Sequence, residues 1–162
     1  MRIRKIDEVE IHLSHELFFD DPTQEWPRYR AHQLLFLFAM RRKLYMPVIR
    51  AFQKSSGLSG YIVLHAHGDT IDGEYWYQDG RRRHRMQNWI NRNDGRASAL
   101  IIISCNPENP DIYSHTSLVL HPHRKTSLEK LYHGGVRMFV PGIGYLNDNR
   151  KARRALAMFQ KS

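Results

Sequence analysis

The chain has 162 residues, 41% of them apolar and 25% charged, which describes one globular domain with a single core and excludes wholesale disorder. A formal net charge of +9 favours anionic partners, nucleic acid first, although the basic residues, spread over Arg41–Lys43, Arg81–Arg85 and Arg150–Arg154, read more readily as a solvated basic surface; one cysteine excludes both an internal disulfide and a thiolate zinc site. The longest apolar run, Leu34 to Met40, falls well short of the roughly 20 residues that cross a bilayer, so no membrane partner is expected.

The amino terminus, Met1-Arg2-Ile3-Arg4-Lys5, has no apolar block behind it that would serve as a signal peptide, and the expected location is cytoplasmic. Val9, Ile11 and Leu13 alternate with Glu10 and His12 as a half-buried strand does, giving one strand in this part of the chain. Asp20-Asp21-Pro22 breaks the chain. A long helical stretch follows from about Tyr29 to Lys54, with Leu34, Leu35, Phe38, Arg42 and Tyr45 at helical spacing. Pro47 kinks or splits it, and Ser55-Ser56-Gly57 ends it.

Tyr61 to Leu64 is a short apolar run between Gly60 and His65-Ala66-His67-Gly68, the pattern of a strand buried on both faces. Asp72-Gly73 and Asp79-Gly80 bracket Glu74 to Tyr77 as the turns around a small hairpin. Met86, Trp89 and Ile90 mark one side of a short helix that stops at Asn93-Asp94-Gly95. Ala99 to Ile103 is the most apolar strand candidate and delivers Ser104-Cys105. After a loop from Pro107 to Pro110, Ser117 to Leu120 is another short strand.

Thr126 with Glu129 forms a capping box for a helix that stops near Gly134-Gly135. Val136 to Val140 is a further strand. Asn147-Asp148-Asn149 caps a last helix carrying Ala152, Ala155, Leu156 and Phe159 on one face. Short apolar strands alternating with helices predict βαβ units: a single α/β domain over 1–162, with three layers and a mostly parallel sheet.

In an open parallel sheet, sites form at the carboxyl edge. The segments 61–67 and 99–105 are joined by about 30 residues containing one helix, a natural crossover. As neighbours they would lie about 4.8 Å apart, and His67 and Cys105 would leave the same edge side by side, as an imidazole base and a thiol nucleophile require. Gly68 would offer a backbone N–H to an oxyanion, with the N–H of Cys105 as the second donor.

Here the sequence resembles a family. Tyr61-Ile62-Val63-Leu64-His65-Ala66-His67-Gly68, followed by Ala99-Leu100-Ile101-Ile102-Ile103-Ser104-Cys105 after a His-to-Cys spacing of 38 residues, is similar to the His-Gly and Cys strands of caspases, legumains, gingipains, separases and CHAT domains. Leu131 to Val140 looks like the segment that follows the cysteine strand in CHAT domains, so the likeness covers about residues 60 to 146. It implies a caspase-like sandwich and a cysteine peptidase acting on polypeptide substrates without a cofactor. Two departures stand out: one strand fewer ahead of the histidine strand than the family has, and Asn106-Pro107-Glu108-Asn109 after Cys105 where the family often has a Gly- or Ser-containing turn.

Two other readings compete. His65-Ala66-His67-Gly68-Asp69 is an HxHxD string of the metallo-β-lactamase and PHP type, in which His65, His67 and Asp69 would share a metal, although Thr70 stands where the first pattern wants another histidine. His115, His121 and His123 would be further ligands. Alternatively, His67 is a satisfied strand-end histidine and Cys105 a core thiol, which leaves a basic module for nucleic acid. Asp69, Asp72 and Glu74 either line a pocket for a basic substrate residue or act as turn formers. His65 is structural in the peptidase reading.

Overall fold

The computed structural model describes residues 1–6, 8–14, 45–104, 117–122, 138–140, 144–145 and 157. The fold is mixed α/β. In chain order its elements are β1 (Arg2–Ile6), β2 (Val9–Leu13), α1 (Tyr45–Ser56), β3 (Tyr61–His65), β4 (Gly68–Ile71), β5 (Glu74–Asp79), β6 (Arg82–Arg85), α2 (Met86–Asn93), β7 (Ala99–Ile103), β8 (Leu118–Pro122), β9 (Met138–Val140) and β10 (Gly144–Tyr145).

The main sheet runs β1-β2-β3-β7-β8-β9-β10, and β4-β5-β6 form a second, three-stranded sheet. β2, β3, β7 and β8 are mutually parallel, whereas β1 pairs antiparallel with β2, and β9 with both β8 and β10. The sheet is therefore mixed, with a parallel centre and antiparallel flanks, rather than parallel throughout. The single strand expected near the amino terminus is a hairpin, paired from Ile6↔Val9 to Arg2↔Leu13. Among the described residues, two strands thus precede the histidine strand. The alternation of apolar residues in 9–13 gave no hint of β1, because Ile3 lies 60% exposed at the sheet edge and leaves no burial pattern in the sequence.

Local chemistry fixes several boundaries. Pro47 lies near the start of the described part of α1. Gly57, at φ 73°, closes that helix with its N–H on the Gln53 carbonyl at 3.0 Å. Asp72 (φ 52°) and Gly73 (φ 77°) form the two-residue connection from β4 to β5, as a hairpin turn with two left-handed residues requires. The hairpin expected around Glu74 to Tyr77 becomes three strands, because Gly80 (φ 66°) starts a second tight turn into β6. The long helix expected from Tyr29 is described only from Tyr45 onward. The capping-box helix, the last helix apart from Ala157, the 107–110 loop, His115 and His123 lie outside the described residues.

Every residue of β3 and of β7 is buried, so both faces of the central strands are covered. On one face Ile62, Leu64, Ala66, Leu100, Ile102 and Val119 pack against Met86, Trp89 and Ile90 of α2 and against Tyr75 and Tyr77 of β5. The register is held by polar ties at the amino ends of the strands. Gly60 (φ 79°) brings its backbone so close to β2 that a Cβ there would meet the Glu8 carbonyl at 3.1 Å. The Ser98 hydroxyl donates to the Gly60 carbonyl at 2.7 Å and accepts from the Gln53 amide at 2.8 Å. Ser117 joins β8 to the end of α2 through the Asp94 carboxylate (2.8 Å) and the Ala97 carbonyl (2.6 Å).

One polar network crosses this core. The Trp89 indole N–H donates to His12 Nδ1 at 3.0 Å, which leaves the proton on Nε2, directed at Glu10 Oε1 at 2.6 Å. The opposing Arg96 guanidinium lies 3.3 Å from Glu10. Both ring nitrogens are engaged, so His12 is a structural link between β2 and α2. Burial, more than any other influence, lowers its pKa below the ordinary 6.5, and the Glu10 carboxyl is held below 4.5, first by the His12 hydrogen bond. Below about pH 6.5 the unfolded chain takes up an imidazole proton that the fold resists, so this contribution to stability is full above that pH and is lost on acidification; Glu10 adds a further loss at lower pH. Trp89→Phe, which strands the buried His12 acceptor, should cost about 2 kcal/mol at pH 8 in denaturant unfolding. His12→Gln should flatten the decline in stability between about pH 8 and pH 5.5, and an unchanged slope would contradict the network.

Candidate active site at the carboxyl edge of the sheet

β3 lies beside β7 with Tyr61↔Ala99 through His65↔Ile103 in register. The pairing continues one step past the strands, where the Ala66 N–H donates to the Ile103 carbonyl at 3.2 Å. His67 follows at the junction between the two sheets. Its carbonyl accepts the Gln78 N–H at 2.9 Å, extending the β4–β5 ladder, and its side chain is exposed.

Gly68 opens β4 opposite Tyr77. Its φ is not in the left-handed region, so it serves as extended strand and not as the sharp turn expected of it. Hydrogen-bonded and non-hydrogen-bonded pairs alternate in an antiparallel ladder. Because His67 and Gln78 form a bonded pair, the Gly68 N–H is directed away from β5, toward the outer edge of β4.

His67, Gly68 and Asp69 line a half-open pocket of about 120 Å³ together with Ile71, Trp76, Tyr77, Gln78 and Arg83. Asp69 is exposed, and its Oδ1 accepts the Thr70 N–H at 2.9 Å. Asp72 occupies the tight turn, and Glu74 pairs with Arg85 at 3.1 Å; neither lines the pocket. Of the three acidic residues singled out in the sequence, the pocket gathers only Asp69. The Tyr77 hydroxyl accepts from Arg92 at 2.9 Å, and burial is the main cause of its raised pKa.

His65 is fully buried within β3, whereas His67 and Asp69 are exposed. The HxHxD string is thus split between core and surface. Among the described residues, no three His, Cys, Asp or Glu side chains come together to hold a metal ion. Cys105 lies outside the described residues. Its chain neighbour Ser104, just past β7, is buried.

The same edge holds two residues that no sequence pattern singled out. Ser14, after β2, and Ser104, after β7, are both fully buried, and neither hydroxyl has a hydrogen-bond partner among the described residues. They flank Ala66, since the Ser14 N–H donates to the His65 carbonyl at 3.0 Å just as Ala66 donates to Ile103. Serine carries no periodic signal, so only the register exposes the pairing. Trp76 and Arg83 were likewise invisible as pocket residues until the β5–β6 pairing placed Gln78 opposite Arg83. Comparison with known proteins adds no relative: no protein-family model, no curated protein and no solved structure matches the chain.

An unpartnered buried hydroxyl costs stability. Ser104→Ala should therefore raise the unfolding free energy by about 1 kcal/mol. A loss of that size would instead mean that the hydroxyl makes a bond in the folded protein.

Proposed function

We propose that the protein is a caspase-like cysteine peptidase, a three-layer sandwich at whose sheet edge Cys105 is the nucleophile and His67 the base. One observation carries the reading. His65 pairs with Ile103, and His67 and Cys105 each follow their strand's register mate by two residues, so neighbouring parallel strands lead to both groups. The outward N–H of Gly68, next to His67, supports an oxyanion site between them.

The chemistry is acyl transfer. His67 takes the Cys105 proton, and the thiolate attacks the scissile carbonyl. The carbonyl oxygen becomes an oxyanion that accepts hydrogen bonds from the N–H groups of Gly68 and Cys105. The tetrahedral intermediate collapses to a thioester as the His67 imidazolium gives its proton to the leaving amine. Water, deprotonated by His67, then attacks the thioester, and the thiolate leaves and is reprotonated. A cytoplasmic location fits this scheme, because a reducing compartment keeps the thiol free. Among the described residues no helix is long and apolar enough to cross a membrane.

With fluorescently labelled casein as substrate, Cys105→Ala and His67→Ala should each reduce hydrolysis on the order of a thousandfold or more, and a chelator should leave it unchanged. Iodoacetamide, which alkylates the single thiol, should abolish hydrolysis. Full hydrolysis by the alkylated protein contradicts the dyad. Gly68→Ala, which keeps the N–H, should retain the rate, whereas Gly68→Pro, which removes it, should lower kcat by about 10²-fold or more.

A further inference from the structure

The run Arg81-Arg82-Arg83-His84-Arg85 occupies the edge of the three-stranded sheet, on β6 and the turn before it. Its four arginines are exposed. Of the nearby carboxylates, Glu74 holds Arg85 at 3.1 Å, Asp79 holds the amino-terminal ammonium at 2.9 Å, Glu10 holds Arg96 at 3.3 Å, and Asp69, opposite Trp76, accepts the Thr70 N–H at 2.9 Å. Among the described residues, no ion pair or hydrogen bond engages the guanidinium groups of Arg81, Arg82 or Arg83. Three consecutive cations with no paired anion among the described residues, on a chain of net charge +9, leave an external polyanion as their natural counterpart.

The rest of this face narrows the class of polyanion. The register Trp76↔Arg85 and Gln78↔Arg83 sets Trp76 on the same face as Arg83 and Arg85, with the Arg85 guanidinium 5.4 Å from the ring centroid. Trp76 and Arg83 line the same half-open pocket. Arginine forks bind phosphate oxygens bidentately, and an indole offers a stacking platform to an unpaired base. The acidic side chains of a peptide carry no aromatic ring to stack on that platform, and a duplex keeps its bases stacked on one another.

We propose that the edge strand β6 and the Trp76 face of β5 bind single-stranded nucleic acid, with phosphates on Arg81, Arg82 and Arg83 along the edge and a base stacked on Trp76. The site needs no contribution from Cys105 and stands independently of the peptidase reading.

Fluorescence anisotropy of a labelled oligouridylate of about 12 nucleotides, titrated with the full-length protein over a salt series, tests it. Binding should weaken linearly on a log–log plot against salt. The triple variant Arg81→Ala/Arg82→Ala/Arg83→Ala should lose at least about tenfold in affinity and about 2 units of slope. Trp76→Leu should lose about tenfold with the slope unchanged, since stacking releases no counterions. Removing three exposed cations elsewhere, in Lys5→Ala/Arg50→Ala/Lys54→Ala, should leave most of the affinity in place. The proposal is overturned if that control weakens binding as much as the β6 variant, if Trp76→Leu has no effect, or if a duplex of equal length or polyglutamate binds as tightly as the single strand.

Discussion

The alignment of β3 against β7 is the constraint on which the rest of the molecule depends. It is built from two runs with no polar residue on either face until their ends, Tyr61 to Leu64 and Ala99 to Ile103. Apolar burial drives the two strands together but does not fix how far one slides along the other. A slip of one residue would turn each side chain to the opposite face. Polar contacts at both ends set the register: Ser98 on the Gly60 carbonyl at the amino edge, and Ala66 on the Ile103 carbonyl at the carboxyl edge. His67 is placed by that register and by the bond from Gln78, which binds the junction to the second sheet.

The second sheet ties the candidate site to the core. Its inner face supplies Tyr75 and Tyr77 to the cluster beneath α2, and its outer face carries Trp76 and Arg83 into the pocket beside His67. Strand alternation thus lets one hairpin both cover the core and present a binding surface. The Glu10–His12–Trp89 network acts on the same packing from below, joining β2 to the helix that follows β6. His12 is a buried histidine with both nitrogens occupied, and it illustrates why residue type alone does not mark a catalytic base. His67, by contrast, is the exposed histidine at the strand end.

Much of the centre was legible in the sequence, because fully buried strands write themselves as unbroken apolar runs. The limits of β7 and the end of α2 follow from Ala99 to Ile103 and from Asn93-Asp94-Gly95, and the apolar run at Tyr61 locates β3 to within one residue. Asp72-Gly73 marked its turn because few other residue pairs accept two left-handed conformations. What was not legible depended on pairing between distant segments. The β1 hairpin is too exposed to leave a pattern, and the strand β6 reads as a run of charge, since neither of its faces supplies apolar residues. Ser14 and Ser104 come together only across β3, and no local feature of either segment announces it. The parallel centre was expected, whereas the antiparallel flanks were not.

The proposed site requires β3 and β7 to lead His67 and Cys105 to adjacent positions at one sheet edge, and a cross-link tests that requirement without any substrate. In His67→Cys, two thiols would stand at those positions on a chain with no other cysteine. A disulfide forms without backbone movement only when the two Cα atoms lie within about 7 Å. Mild oxidation of dilute His67→Cys protein should give an intramolecular disulfide, seen as the loss of two hydrogens in the intact mass and as resistance of both thiols to iodoacetamide. If both thiols stay free, or if they cross-link only between molecules, His67 and Cys105 are not neighbours and the account of the site fails.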